Sequence, residues 1–393
     1  MFKEKYNIKI FYLILFIVIA DFFSEPVLQI YPFDLSKYDA YNKILISFLF
    51  LLFFLSTFNK FSKNLIITFP FYTLLLVILY GLLRGLITNV PINAINDTSS
   101  YLAIILFPAI VCLNFKDINK TINTFADILL FILLFKFIIY EILCFTIIGF
   151  PSWKILLKQS PLLLFPFSIY FSNYMNNINN KRNIFLLLIT CFLIITAMAR
   201  MLFISVLFIT LIYTFFKIKN IKKVILIIFL LLIAFTFYLS LSQIDNFTEI
   251  TDHLYGGDVY AGGVDYRKVQ FQVLLNRIID HPLSGVGFGF YNKEYLIYGI
   301  YAKPYILELD LINFITKLGL IISIIYFFIY LNLYYLVLKV KNQKNKEIYF
   351  AMFLCLIGLL IYSVGQSFHQ GYLYWIYFSV FYSFLFLELK LQK

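Results

Sequence analysis

The chain has 393 residues, of which 62% are hydrophobic and 13% charged, and its mean hydropathy is +0.89. Soluble chains carry about a quarter charged residues, so a water-soluble globular domain is excluded. The net charge of +12 would suit a nucleic-acid partner, but the placement of the basic residues assigns it to membrane topology and implies no nucleic acid.

In chain order, hydrophobic spans fall near 8–23, 44–58, 65–83, 100–115, 125–149, 161–175, 183–199, 201–217, 224–242, 309–338, 348–368 and 372–388. Runs of about 20 apolar residues cross a hydrocarbon core about 30 Å thick. In lipid only helices or closed barrels satisfy their backbone groups, and the ten-residue alternation of a barrel is missing. The expected fold class is therefore all-α: a polytopic membrane protein of about 12 transmembrane helices, one integral membrane domain over 1–393. Basic residues precede the first span, but no small-residue cleavage site follows it, so it is expected to stay as a helix. The seventh and eighth spans form one apolar run, broken only by Ala197-Met-Ala-Arg200-Met201. It is too long for one crossing, and a tight turn at Arg200 divides it into two.

Alternate connections hold Lys3/Lys5/Lys9, Lys60/Lys63, Lys116/Lys120, Lys181/Arg182, Lys217/Lys219/Lys222/Lys223, Lys339/Lys341/Lys344/Lys346 and Lys390/Lys393. These are 19 of the 32 Lys and Arg. The positive-inside rule makes that side cytoplasmic, with both termini inside. No connection on that side is long enough for a soluble nucleotide-binding domain, and no Walker-type glycine loop occurs, which argues against ATP-driven transport. The absence of an internal repeat weighs against an inverted-repeat transporter. Cys112, Cys144, Cys191 and Cys355 all fall within spans and match no metal-ligand spacing, so they read as small apolar fillers. His253 and His281 have no ligand-spaced partner, and no metal site is expected.

The longest polar stretch, roughly 243–305, then lies outside. Its first part is polar and glycine-containing. From Arg267 to Asp280, Phe271, Leu274, Leu275 and Ile278 recur at helical spacing. This predicts a short amphipathic helix on the membrane surface, stopped by Pro282, with Asp265 as a cap. The run Gly285-Val-Gly-Phe-Gly289 has no preceding strand, so its spacing is no dinucleotide fingerprint. Its role is either mechanical, since glycines allow unusual dihedrals and close backbone approach, or that of a bare turn after the surface helix.

Ionised groups at hydrocarbon depth are costly and face a cavity or a partner. Arg200 stands at the outer end of a crossing, Arg267 opens the surface helix, and Glu308 and Asp310 begin the tenth span. Two arginines and a carboxylate on one face suit a lipid-linked diphosphate, because the planar guanidinium fork matches phosphate oxygens. His369, in the last outer turn, is an accessory candidate. Lys317, nine residues after Glu308, needs a cavity or must snorkel. Trp153 and Trp375, at span ends, read as interfacial belt residues or as platforms that stack on sugar rings.

These residues resemble a known family. Ala199-Arg200 at the head of a span looks like the Ser-Arg element of the bacterial O-antigen ligase and O-antigen or capsular polysaccharide polymerase superfamily. Arg267 followed by His281-Pro-Leu-Ser-Gly-Val-Gly-Phe-Gly289 is similar to its arginine, surface helix and Pro-Leu-x-Gly-x-Gly element. Lys317-Leu-Gly-Leu-Ile321 resembles the end of a segment that often begins His-Asn. Counting back eleven from Gly319 lands on Glu308, so a carboxylate stands where many members have histidine. The resemblance covers roughly 183–325, while the first 180 residues match only in hydropathy.

The resemblance implies metal-independent, inverting glycosyl transfer from an undecaprenyl-diphosphate-linked glycan at the outer face of the bacterial cytoplasmic membrane, without a cofactor. Arg200 and Arg267 would bind the donor diphosphate, and Glu308 would take the proton of the acceptor hydroxyl. Gly285, Gly287, Gly289, Asp310 and His369 would be accessory. A polymerase joining repeat units into O-antigen or capsule is favoured, with a chain-length regulator as an expected partner. The alternatives are an O-antigen ligase, which delivers the glycan to lipid A-core, and, from another class, a glycolipid flippase or polysaccharide exporter. A transporter should line its midplane with polar groups, whereas here they gather at the outer rim.

Overall fold

Apolar runs of this length can satisfy their backbone only by coiling, and the computed structural model is mostly helical over the residues it describes: 65–111, 115, 117–148, 160–177, 179–197, 200–217, 263–290, 309–364 and 372–392. In order these are α1 (Leu65–Thr88), α2 (Pro91–Ser99), a 3-10 segment (Ser100–Ile105) leading into α3 (Leu106–Val111), and α4 (Ile118–Ile148). A second 3-10 turn (Ser160–Leu163) precedes α5 (Leu164–Asn176), followed by α6 (Lys181–Thr196), α7 (Arg200–Lys217), α8 (Gly263–Asp280), α9 (Asp310–Leu338), α10 (Gln343–Tyr362) and α11 (Tyr372–Leu391). No strand occurs among the described residues.

Four of these helices are long and apolar enough to cross a membrane: Thr68–Thr88 in α1, Ile118–Ile139 in α4, α9 and α10. Met201–Lys217 in α7 is a shorter apolar helix. The expected spans at 8–23, 44–58 and 224–242 lie outside the described residues, so the total of twelve rests on hydropathy alone. The remaining expected spans coincide with helices, although 100–115 is a 3-10 segment and one short α-helix rather than a single rod.

Local sequence sets several helix starts. The Asn180 side chain accepts from the Arg182 and Asn183 amides at the head of α6, and Asn342 does the same for Lys344 and Asn345 at the head of α10. Asp117 Oδ1 accepts from the Lys120 amide at 3.0 Å. Each satisfies N–H groups that a helix start leaves without intrahelical partners. Pro91 stands first in α2, where its missing N–H costs nothing.

Small residues let the helices approach closely. On α11, Ser379 and Ser383 donate to the carbonyls of Ala103 (3.0 Å) and Phe107 (3.2 Å), fastening α11 along the 3-10 segment and α3. Phe107 and Tyr382 stack beside them with centroids 4.1 Å apart. On the other flank, Ser205 donates to Gly358 O at 2.8 Å where α7 meets α10. Trp375 is wholly buried among Tyr101, Tyr374, Phe378 and Tyr326. It is a core residue and not a member of an interfacial belt. Trp153 lies outside the described residues.

Polar contacts define two ends of the bundle. At one end Lys217 pairs with Glu347, Arg182 with Asp127, and Asn345 joins Asn119 to Glu388. Gln392 donates to Glu388 and accepts from the Lys341 amide. This end gathers the basic stretches near 116–120, 181–182, 217, 339–346 and 390, as charge alternation requires. At the other end the Leu311 amide donates to Ser363 O, joining the start of α9 to the end of α10. Helices α7 and α10 run antiparallel, since Lys217 meets Glu347 and Ser205 meets Gly358. The start of α7 at Arg200 is therefore level with Ser363 and the start of α9.

Candidate functional site

Helix α8 begins at Gly263, four residues before the expected start. Arg267 therefore sits in its second turn, and Asp265 lies within the first turn instead of capping it. An acidic residue there still complements the positive helix end. The expected apolar stripe divides. Leu274 is wholly buried against Leu309 and Ile312 of the α9 start, and Gln270, one turn earlier, is equally buried. Phe271 (45% exposed), Leu275 (40%), Ile279 (65%) and Leu283 (62%) instead form an outward line at four-residue spacing. An outward apolar line is what a helix seated on a membrane surface requires. Residues three or four apart share a helix face, so position 267 lies on the side of Gln270 and Leu274.

After α8 the chain passes as an irregular thread, Gly285–Phe290, between α1 and α9, and all six residues are buried. Buried backbone must find partners, and here they are found on both sides. The amides of Val286 and Gly287 donate to Thr316 O (3.1 Å) and Lys317 O (2.8 Å), and that of Phe288 to Gly81 O (2.9 Å). The Ser284 carbonyl accepts from Tyr80 Oη and that of Gly285 from Arg84 Nε. The Val286 carbonyl accepts from Thr88 Oγ1 and Asn89 Nδ2. Asn89 Nδ2 also reaches Phe288 O. One face of α1, built from residues 80–81, 84–85 and 88–89, thus grips the whole segment.

The approach is too close for side chains. A Cβ on Gly287 would stand 2.3 Å from the Gly85 amide, and Gly287 has a φ of +83°. Gly319 has φ 76° and ψ 168° and interrupts α9, freeing carbonyls at 316 and 317 for the thread and its successor's amide for Pro282 O at 2.8 Å. The single tenth span read from the sequence is therefore two helices meeting at Gly319. The mechanical reading of Gly285, Gly287 and Gly289 is the one observed: all three have positive φ.

Lys317 does not snorkel. Its Nζ lies 2.7 Å from Asp97 Oδ2, with both side chains essentially inaccessible to solvent. The same Oδ2 accepts from the Gly289 amide at 2.7 Å. Asp97, on α2, escaped sequence reading because it stands in an apparently ordinary polar loop 220 residues from its partner. Tyr101 is wholly buried one turn further on, stacked on Phe288 at 4.8 Å, and within electrostatic reach of both Asp97 and Asp310. Asp310, Asn313 and Lys317 are all fully buried and recur at i, i+3 and i+7, which makes a polar stripe on the inward face of α9.

The other candidates are placed less fully. Arg200 is the first residue of α7 and Arg267 belongs to α8, but their side chains are outside the described residues, as are Glu308 and His369. His281 is exposed at the end of α8. Cys191 and Cys355 are free thiols.

No curated protein matches the chain. Residues 184–310 match the family described as O-antigen ligase. That range takes in α7 with Arg200, α8 with Arg267, the glycine thread, Glu308 and Asp310. The chain is thus similar over this segment to the O-antigen ligase family, and the resemblance to the O-antigen ligase and polymerase superfamily read from Arg200, Arg267 and the glycine run is borne out.

Proposed function

We propose that the protein joins undecaprenyl-diphosphate-linked oligosaccharide units into surface polysaccharide, O-antigen or capsule, by glycosyl transfer at the outer face of the cytoplasmic membrane. A role of the O-antigen ligase or polymerase type in polysaccharide assembly follows from the family match. The range of that match contains both arginine-bearing helices and position 308, which supports the finer reading. The start of α7 is level with the start of α9, and α8 packs on that same α9 start. This arrangement supports a shared site.

In this reading Arg200 and Arg267 hold the donor diphosphate, their charge taking the place of a metal as the bond from sugar carbon to phosphate oxygen breaks. The acceptor hydroxyl attacks the opposite face of that carbon and inverts it, while Glu308 removes the hydroxyl proton. General-base help of this kind contributes typically about 10²–10⁴-fold. Arginines alone would weaken Glu308 as a base, and a bound diphosphate would offset them, so donor occupancy and base strength are coupled. The fully buried Asp310, two residues on, would steady the start of α9.

The test is glycan profiling of a deletion strain complemented with Arg200→Ala, Arg267→Ala and Glu308→Gln. Each variant should leave single repeat units on the lipid carrier and no polymer. Finished polymer stranded on undecaprenyl diphosphate would instead assign a ligase. Full polymer from Glu308→Gln would remove Glu308 from the mechanism. Transbilayer movement of lipid-linked glycan without elongation would point to an exporter.

A further inference from the structure

We propose that Asp97 is a positioning residue for the transfer reaction, its carboxylate clamping the two ends of the chain segment that carries Glu308. The inference rests on the function proposed above and goes beyond it in naming a buried ion pair that touches no substrate.

One carboxylate oxygen, Asp97 Oδ2, takes the Gly289 amide at 2.7 Å and the Lys317 ammonium at 2.7 Å. Gly289 stands at the end of the thread that follows α8, and Lys317 lies two turns into α9. The segment between them includes residue 308. Gly289 ends the thread that follows α8, the helix with position 267, and Lys317 lies on α9, whose start directly follows position 308 in sequence, so this oxygen ties together the two elements next to both positions.

The energetics argue against a purely structural purpose. A buried ion pair is commonly replaced by packed apolar side chains with no loss of stability, because desolvation consumes most of its attraction. The thread is also held without it: the amides of 286, 287 and 288 donate to backbone carbonyls of α9 and α1. Within the run from Gly285 to Gly289, Gly289 alone has its amide bonded to a side chain. What a charged, bidirectional contact supplies over an apolar one is register, since two short hydrogen-bond distances fix relative position where apolar surfaces can slide. A Cβ at Gly289 would stand 2.3 Å from the Ala94 amide, so α2 and the thread are already at their closest approach, and Asp97 is the side chain that locks them there.

The experiment uses the full-length protein in membranes with a lipid-linked repeat unit as substrate, and separates kcat from KM. In the paired variant Asp97→Leu/Lys317→Met, the protein should accumulate as the parent does, with kcat reduced about tenfold or more and KM within about twofold. Parent kcat in this variant overturns the proposal. If the pair fails to accumulate, Asp97→Glu decides, because it keeps both charges and shifts the oxygen by one methylene: a fall in kcat supports the clamp and an unchanged kcat overturns it. Amide exchange over 284–290 and 309–318 reads the clamp without any activity. Lost protection in both stretches of the paired variant, or of Asp97→Glu, supports it, and unchanged protection overturns it. A parent that elongates no substrate while the variants lose protection would fault the function and leave the clamp standing.

Discussion

Replacing Gly287 with alanine should be among the most damaging one-carbon changes in the molecule. The new Cβ would lie 2.3 Å from the Gly85 amide and 2.7 Å from the Arg84 carbonyl carbon, whereas ordinary contacts begin at 3.4 Å. The thread and α1 must separate by roughly 1 Å. That movement stretches the 2.9 Å bond from the Phe288 amide to Gly81 O and the grip of Thr88 and Asn89 on Val286. Losing one or two buried hydrogen bonds costs about 1–3 kcal/mol, and a side chain at φ +83° adds about 1–2 kcal/mol. The total is about 2–5 kcal/mol. Gly85→Ala meets Phe288 O at 2.2 Å but gains about 1 kcal/mol of helix propensity, so it should cost about 2–3 kcal/mol. Gly358→Ala meets the end of the Ile209 side chain, which can rotate away, and should be close to neutral. Melting of the detergent-solubilised proteins, followed by loss of the monodisperse species on heating, reads the order. A Gly287→Ala protein that melts with the parent, or below which Gly358→Ala falls, would refute the account of the thread as a backbone-to-backbone joint.

Two further outcomes are expected. Tyr330→Phe removes the middle hydroxyl of a buried chain linking Tyr326, Tyr330 and Tyr374 and should destabilise by about 2 kcal/mol; a melting temperature equal to the parent's would show that the flanking hydroxyls re-pair. In a chain with its four cysteines replaced, Asp280→Cys should react with an impermeant maleimide on intact spheroplasts, and Lys344→Cys only after permeabilisation. Both positions are exposed, so labelling of the two from one side would overturn the assigned orientation.

Among the described residues hydropathy located the helices well, because lipid-length apolar runs admit one backbone solution. The helix before the glycine run was equally legible, since residues 267–280 repeat at helical spacing, and the glycine run announced close approach. Three features were hidden. Leu-Gly-Leu at 318–320 scores as uninterrupted span, because hydropathy does not register a glycine whose dihedrals are set by a segment from elsewhere in the chain. The Asp97–Lys317 pair is a contact across 220 residues, and a lone aspartate before a span is indistinguishable from a solvated one. Trp375, at a span end, looks interfacial by position, yet Tyr101 and Phe378 enclose it. Linear patterns reveal what neighbours along the chain enforce, and these three depend on neighbours in space.

The thread has a consequence for biogenesis. Its carbonyls are gripped by side chains made about 200 residues earlier, and its amides by a helix that emerges afterwards. Until residues 284–290 are made, α1 and the adjoining Asn89 lack the thread they will hold, and until the ribosome has passed Leu320 the thread lacks its second partner. Closure is thus a late event of synthesis, and nascent chains halted before that point should be selective prey for membrane proteases.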